Sequence, residues 1–261
     1  MKKNTPLKIT FLGTGTSTGV PMIASTHPVS KSTDFKDKRL RSSILISWDN
    51  YNYVIDCGPD FRQQMIRENV QHLNGILFTH EHADHIAGLD DIRPYCFQMG
   101  DLPIYLLERV LKVLQKRYDY VFATENRYPT APSVAPTIIT HKKSFELDGV
   151  SVTPVELMHG NLPILGYRFN NVAYLTDIKT ISSEEKEKLK NLDVLIVTGL
   201  RKEPHATHFN IEEALAFIDE VQPKRTYLTH ISEVLGFHEE VQKELPENVF
   251  LAYDGLVLES D

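Results

Sequence analysis

Four short strand-like runs in this chain each stop on a side chain that can bind a metal. Residues 75–79 lead into His80, residues 155–158 into His159, residues 173–176 into Asp177 and residues 226–229 into His230. A polar residue at one strand tip is more often a cap or a hydrogen-bonding group than a ligand. Four such tips in one chain point to a shared site, because scaffolds place functional groups where a strand gives way to a loop.

The first tip opens the run His80-Glu81-His82-Ala83-Asp84-His85. In extended chain, residues i and i+2 face the same side, so His80 and His82 can reach one ion. Asp84 and His85, at a turn into a helix, can reach a second ion beside it. Histidine and carboxylate donors suit Zn²⁺, and also Mn or Fe. One run cannot close two sites, since each ion takes about four protein or water ligands. His159, Asp177 and His230 are the candidates to complete them.

The order of elements is strand-rich, then helix–strand, and then the same again. Strands are expected at residues 7–12, 43–48, 51–57, 75–79, 104–107, 137–145, 150–157, 165–169, 172–176, 194–198 and 226–229. Helices are expected from Asp60 as cap to about Asn69, from Asp84 until Pro94 stops it, and over 109–118, 183–192, 211–221 and 234–245. Residues 119–136, rich in Pro, Tyr and Thr, read as a surface insertion or lid. No linker divides residues 1–261. Two packed sheets flanked by helices, an α/β arrangement, fit one domain of this length.

Composition narrows the function classes. The formal net charge of −7 supplies no general pull towards nucleic acid or an anionic membrane. The two cysteines, Cys57 and Cys96, form no C-x-x-C pair and read as buried thiols, which excludes a thiolate zinc site. Residues 1–6 lack the apolar region of a signal peptide. No apolar run approaches the ~18 residues of a membrane span. A cytoplasmic protein is expected.

The series His80-x-His82-x-Asp84-His85, then His159, Asp177 and His230, resembles the metallo-β-lactamase superfamily, with Asp56 after residues 53–55 as its first motif. The resemblance runs from residues 11–15 to 253–255. It implies a four-layer αββα sandwich with metals at one edge, where strand ends meet. It also implies that His80, His82 and His159 hold one ion, that Asp84, His85 and His230 hold the other, and that Asp177 bridges them. Asp56 would orient a ligand histidine by a hydrogen bond.

Four segments are similar to one branch: residues 13–21, 38–43, 88–94 and 228–232. That branch holds the phosphoribosyl cyclic phosphate phosphodiesterases and lies close to the tRNA 3′-processing endonucleases. The segment from His208 to Ala214 is similar to a stretch whose histidine, in both groups, contacts phosphate or assists the leaving group. The resemblance therefore implies a binuclear phosphodiesterase. A hydroxide shared by the metals attacks phosphorus, Asp84 and Asp177 serve the reaction as ligands, and His208 assists the leaving oxygen. Small phosphodiesters, cyclic ribose phosphates among them, are the expected substrates. Arg93 and Arg41 are candidate phosphate clamps.

Relatives in the branch carry cysteines in the loop after the first strand and bind a structural zinc there. Residues 22–38 contain none, so no third zinc is expected. The Gly/Thr loop at 13–19 lacks the Gly-Lys-Ser/Thr ending of a nucleotide loop and reads as a turn lining the site. The resemblance points to a dimer. Two other readings stay open: an RNA 3′-processing endonuclease, disfavoured by the acidic charge and the lack of a Gly/Lys-rich arm, and a metal-binding protein without turnover.

Overall fold

Apolar side chains on the two faces of each sheet fall into three cores. The computed structural model describes residues 5–260, so the leader reading of residues 1–6 lies mostly outside the described residues. The chain enters β1 (Lys8–Gly13), β2 (Ser43–Trp48), β3 (Tyr51–Ile55), β4 (Gly75–Leu77), β5 (Leu102–Leu106) and β6 (Val134–Ile138). It continues through β7 (Phe145–Leu147), β8 (Val150–His159), β9 (Leu162–Phe169), β10 (Val172–Leu175), β11 (Val194–Thr198), β12 (Arg225–Thr229), β13 (Val249–Leu251) and β14 (Val257–Glu259).

These strands form two seven-stranded sheets, ordered β14-β1-β2-β3-β4-β5-β6 and β13-β12-β11-β10-β9-β8-β7. In each, an antiparallel meander (β1 to β3, β7 to β10) passes into parallel strands (β3 to β6, β10 to β13). The order met twice in the sequence is this pair of sheets. In β11, Val194 and Ile196 face the core between the sheets, while Leu195 and Val197 face the helices. In β3, Tyr53 and Ile55 face inward and Val54 outward. One outer core packs helix residues Phe61, Met65, Val110 and Leu114 on the first sheet; the other packs Leu189, Ala214, Phe217 and Val241 on the second. The result is the expected αββα sandwich. Among the described residues, no helix is long and apolar enough to cross a membrane.

Several boundaries differ from the sequence reading. Pro94 does not stop a helix. The segment after His82 breaks into a helix over Ala83–Ile86, a 3₁₀ turn over Leu89–Ile92 and a new helix, Arg93–Met99, with Pro94 in its first turn. Proline is tolerated there because the first N–H groups have no intrahelical partner. Asp60 occupies the cap position of the helix Phe61–Arg67 without capping it. Its carboxylate instead accepts from the N–H and guanidinium of Arg41. The expected helix over 234–245 is split into Glu233–Leu235 and His238–Glu244, with Gly236 at φ 120° between them. The irregular segment holds a short helix, Asp119–Phe122, and its last residues enter β6. Pro136 is accommodated because β6 lies at the sheet edge.

The Gly/Thr loop after β1 is a structural crossing. Gly15 N–H donates to Leu40 O, Thr16 N–H to Ile231 O, and Ile231 N–H back to Thr14 O. A Cβ at Gly13 would stand 2.0 Å from Arg41 O. Beneath the loop, buried Arg39 donates to Thr14 Oγ1 and Ala252 O and reaches His238 Nδ1 at 3.2 Å. In the next loop, the hydroxyls of Ser25 and Ser30 both donate to the Glu233 carboxylate. These ties hold the loop over residues 13–31 against the segment that carries His230.

Candidate metal centre

Strand tips from both sheets meet at one edge. Asp56 follows β3, His80 lies three residues past β4, His159 ends β8, Asp177 follows β10 by two residues and His230 follows β12. The parallel strands bring Asp56, His80, Asp177 and His230 there with their carboxyl ends, the end at which open α/β sheets bind ligands. Asp56, Asp177 and His230 share a left-handed backbone, with φ of 66°, 60° and 58°. A non-glycine residue held there costs on the order of 1–3 kcal/mol, and such positions cluster at functional sites. The kink turns each side chain out of the strand and into the site.

All seven sequence-derived candidate ligands are gathered. Their donor atoms, with those of His208, fall into four groups within 4.8 Å: His80, His82 and His159; His80, His85 and Asp177; Asp84, His85 and His230; and His159, Asp177 and His208. Asp177 belongs to two groups, one with His80 and His85 and one with His159 and His208, and so lies within reach of both halves of the cluster. Its Oδ2 is 3.3 Å from His85 Nε2 and its Oδ1 3.1 Å from His230 Nε2. Thr198 Oγ1 accepts the Asp177 N–H at 2.7 Å, and the Thr176 hydroxyl donates to Oδ2.

Asp56 is fully buried and organises the His80 side. It accepts the N–H and hydroxyl of Thr79, each at 2.8 Å, and its Oδ2 lies 2.6 Å from His85 Nδ1. The turn that holds His85 is packed on the Asp56-Cys57-Gly58 segment. Cys57 N–H donates to His85 O, Gly88 N–H donates to Cys57 O, and a Cβ on Gly58 would stand 2.1 Å from Asp84 O.

The electrostatics of the cluster call for added positive charge. Burial works against a charge on His85, yet Asp177, Asp56 and Asp84 outweigh it and raise its pKa well above the usual imidazole range. For His230, burial is likewise outweighed by Asp177 and Asp84, which raise it to about 9. Burial and neighbouring histidines push His80 down instead. Burial also lowers His208 to about 4, against the bond its Nε2 makes with Asp177 Oδ1 at 3.0 Å. His85 Nε2 and His230 Nε2 face the Asp177 carboxylate without hydrogen-bond geometry, and His230 Nδ1 is buried with no hydrogen-bond partner. Each such atom costs on the order of 1–3 kcal/mol unless something coordinates it. Divalent cations fit this imidazole and carboxylate donor set, supplying both the missing partner and the missing charge.

The candidate arginines are differently placed. Arg41 pairs with Asp60 at 3.1 Å. Arg93 pairs with Asp90 at 2.5 Å and reaches Thr130, tying the 119–136 segment down. Arg93 lines a groove of about 630 Å³ between the helices Phe61–Arg67 and Arg93–Met99, and none of the seven candidate ligands lines it. Glu81, inside the histidine run, pairs with Arg109. Both cysteines are buried and free. Sequence reasoning missed Thr79, Thr198, Thr207 and His205. Only His205 left a signal, its spacing of three from His208.

Residues 51–231 match the beta-lactamase superfamily domain. The chain belongs to that superfamily. Within it, the solved structure of a diphosphatase from the PhnP family superposes over 98% of this chain and 97% of its own, with a TM-score of 0.91 and 39% identity. An octanoyltransferase of Porphyromonas gingivalis is 39% identical over 252 residues. A ribonuclease Z of Methanococcus maripaludis is 28% identical over 178 residues, 64% of this chain. The chain spans about half the length of these two curated relatives, 51% and 49%. It has the metallo-β-lactamase fold and is related to a PhnP-family diphosphatase and to ribonuclease Z.

Proposed function

We propose that this protein is a binuclear metal-dependent phosphodiesterase acting on small phosphodiesters, cyclic ribose phosphates among them. The observation that carries the reading is Asp177. This one buried carboxylate faces His85 and His230, shares one donor group with His80 and another with His159, and meets His208 Nε2 at 3.0 Å. His80, His82 and His159 would hold one ion and Asp84, His85 and His230 the other, with Asp177 between them. Zn²⁺ or Mn²⁺ held there would supply Lewis acidity and a nucleophile at neutral pH. Asp56 keeps His85 oriented. His208, whose Nε2 meets Asp177 Oδ1 at 3.0 Å, would hydrogen-bond or protonate the leaving oxygen. Phosphorus–oxygen cleavage is also the chemistry named for the diphosphatase and ribonuclease relatives.

The 39% identity to a diphosphatase over nearly the whole chain favours a second reading, hydrolysis of a diphosphate. The deciding experiment incubates Zn²⁺- and Mn²⁺-loaded protein with bis(p-nitrophenyl) phosphate, a 2′,3′-cyclic nucleotide, a nucleoside diphosphate, a tRNA precursor and a β-lactam. Turnover of the diesters supports the proposal, and turnover of the diphosphate alone selects the second reading. Hydrolysis of the lactam alone refutes both. Salt-sensitive cleavage of the tRNA precursor would select RNA processing, and metal uptake without turnover in any arm would select a binding protein.

A further inference from the structure

We propose that Glu81 and Arg109 are positioning residues: their ion pair clamps the His80–His82 stretch and so sets how tightly the ion on His80, His82 and His159 is held. The proposal rests on the metal assignment made above.

The candidate ligand histidines are held unequally. His80 Nδ1 meets Thr79 Oγ1 at 2.9 Å, His85 Nδ1 meets Asp56 Oδ2 at 2.6 Å and His159 Nδ1 meets Thr207 O at 2.8 Å. Each of these rings has a partner outside the ligand set. His82 has none. It is exposed, and its ring nitrogens meet only another donor, His80 Nε2, at 2.9 Å. The backbone there is also lightly tied. Among the described residues, the N–H groups of His80, Glu81 and His82 form no backbone hydrogen bond, and His82 O accepts one from His85 N–H. A ring without an outer partner keeps its pose only through the chain that carries it.

The side chain between the two imidazoles supplies the missing tie. Side chains alternate in extended chain, and His82 is extended at φ −65° and ψ 151°, so Glu81 turns away from its neighbours. There both of its carboxylate oxygens accept from Arg109 Nε, at 3.0 and 3.1 Å. Such charge-assisted bonds are roughly twice as strong as neutral ones. Arg109 stands in the first turn of the helix Glu108–Arg117, whose Val110 and Leu114 are wholly buried in the outer core. The pair therefore fastens the His80–His82 stretch to a packed helix. Neither Glu81 nor Arg109 belongs to a donor group, so replacing either leaves every candidate ligand in place.

A clamp and bare electrostatics predict opposite signs. Arg109 repels a cation and Glu81 attracts one. If charge alone acted, Arg109→Ala would tighten metal binding. If the pair acts as a clamp, Arg109→Ala loosens it.

The test measures Zn²⁺ affinity by competition with a chromophoric chelator in two backgrounds. His230→Ala keeps the His80, His82 and His159 set, and His82→Ala keeps the Asp84, His85 and His230 set. In the first, Arg109→Ala is expected to weaken binding about 10- to 100-fold, the usual effect of losing an outer partner of a ligand. Adding Glu81→Ala to Arg109→Ala is expected to cost nothing more, since the two share one interaction. In the second background Arg109→Ala is expected to leave affinity unchanged. Arg109→Met keeps the apolar stem of the side chain and carries the same expectations should the alanine variant not fold. Unchanged or tighter binding in the first background, an equal loss in both, or additive losses in the double variant would overturn the proposal. If the unaltered protein binds a single equivalent, the binuclear reading fails, whereas a loss confined to proteins that retain His82 still supports the clamp.

Discussion

Asp56 Oδ2 lies 2.6 Å from His85 Nδ1, with both side chains sealed from solvent. The same carboxylate accepts the N–H and hydroxyl of Thr79, one residue before His80. One buried aspartate at the tip of β3 thus sets the pose of both ends of the His80–His85 run. Replacing it by alanine should lower metal affinity about 10- to 100-fold, since outer partners of ligand histidines contribute that much. Competition against a chromophoric chelator measures the loss. Near-UV circular dichroism should stay close to the parent; affinity equal to the parent would contradict the role.

Gly58 is where the Asp56 segment meets the turn that carries Asp84. A Cβ there falls 2.1 Å from Asp84 O, a backbone atom that cannot swing away. Gly58→Ala should destabilise the fold by roughly 1–3 kcal/mol, as overpacking does, and should weaken metal binding at the same time. Urea unfolding of the metal-free protein isolates the first effect and chelator competition the second.

Two of the four donor groups contain Asp177, and through His80, His85 and His159 they overlap the His80–His82–His159 and Asp84–His85–His230 sets. Elemental analysis of the loaded protein should give about two equivalents of metal per chain. His230→Ala should remove one equivalent and leave the His80, His82 and His159 set filled. Asp177→Ala should weaken both. Treatment with a chelator should abolish turnover, and Zn²⁺ or Mn²⁺ should restore it. A single equivalent in the parent would rule out the binuclear arrangement.

Acid should destabilise the protein through His238, which packs beside Arg39 far from the metal run in sequence. Burial and then the Arg39 charge lower His238 from 6.5 to about 4. The unfolded chain therefore takes up a proton that the folded chain refuses. His238 contributes stability that is present above pH 6.5 and is lost as pH falls from 6.5 towards 4, on the order of 2 kcal/mol. Asp254 acts oppositely: burial raises it to about 6, so protonation of the folded form restores some stability over part of the same range. The measurement is the difference in unfolding free energy between the parent and His238→Asn at pH 7 and pH 4.5. The difference should shrink at the lower pH, and a constant difference would contradict the assignment.

Much of the architecture was legible because its cause is local. The apolar runs of β2, β3 and β11 are strands buried on both faces, and Asp49 with Asn50 forms the turn between β2 and β3, with the expected strand ranges nearly intact. Pro94 was misjudged because proline ends one helix or begins the next by the same rule, and the choice depends on where Gly88 must pack. Its Cβ would stand 2.2 Å from Gly58 O, thirty residues earlier. The break at Gly236 has a similarly nonlocal setting, since Glu233 is held by Ser25 and Ser30 and His238 by Arg39.

The candidate site divides along the same line. Residue type and strand-tip position alone nominated His80, His82, Asp84, His85, His159, Asp177 and His230, because an imidazole or carboxylate after an apolar run is visible without knowing what lies opposite. Only the tertiary structure decided that Asp56 serves His85 in particular, that Thr198 and Thr176 hold Asp177, and that Arg93 is tied to Asp90 and Thr130. It also brought His205 to the back of His208. These are contacts between side chains delivered by different strands and loops, set by sheet order and by the left-handed turns at Asp56, Asp177 and His230. Neither carries a period that a linear chain can display.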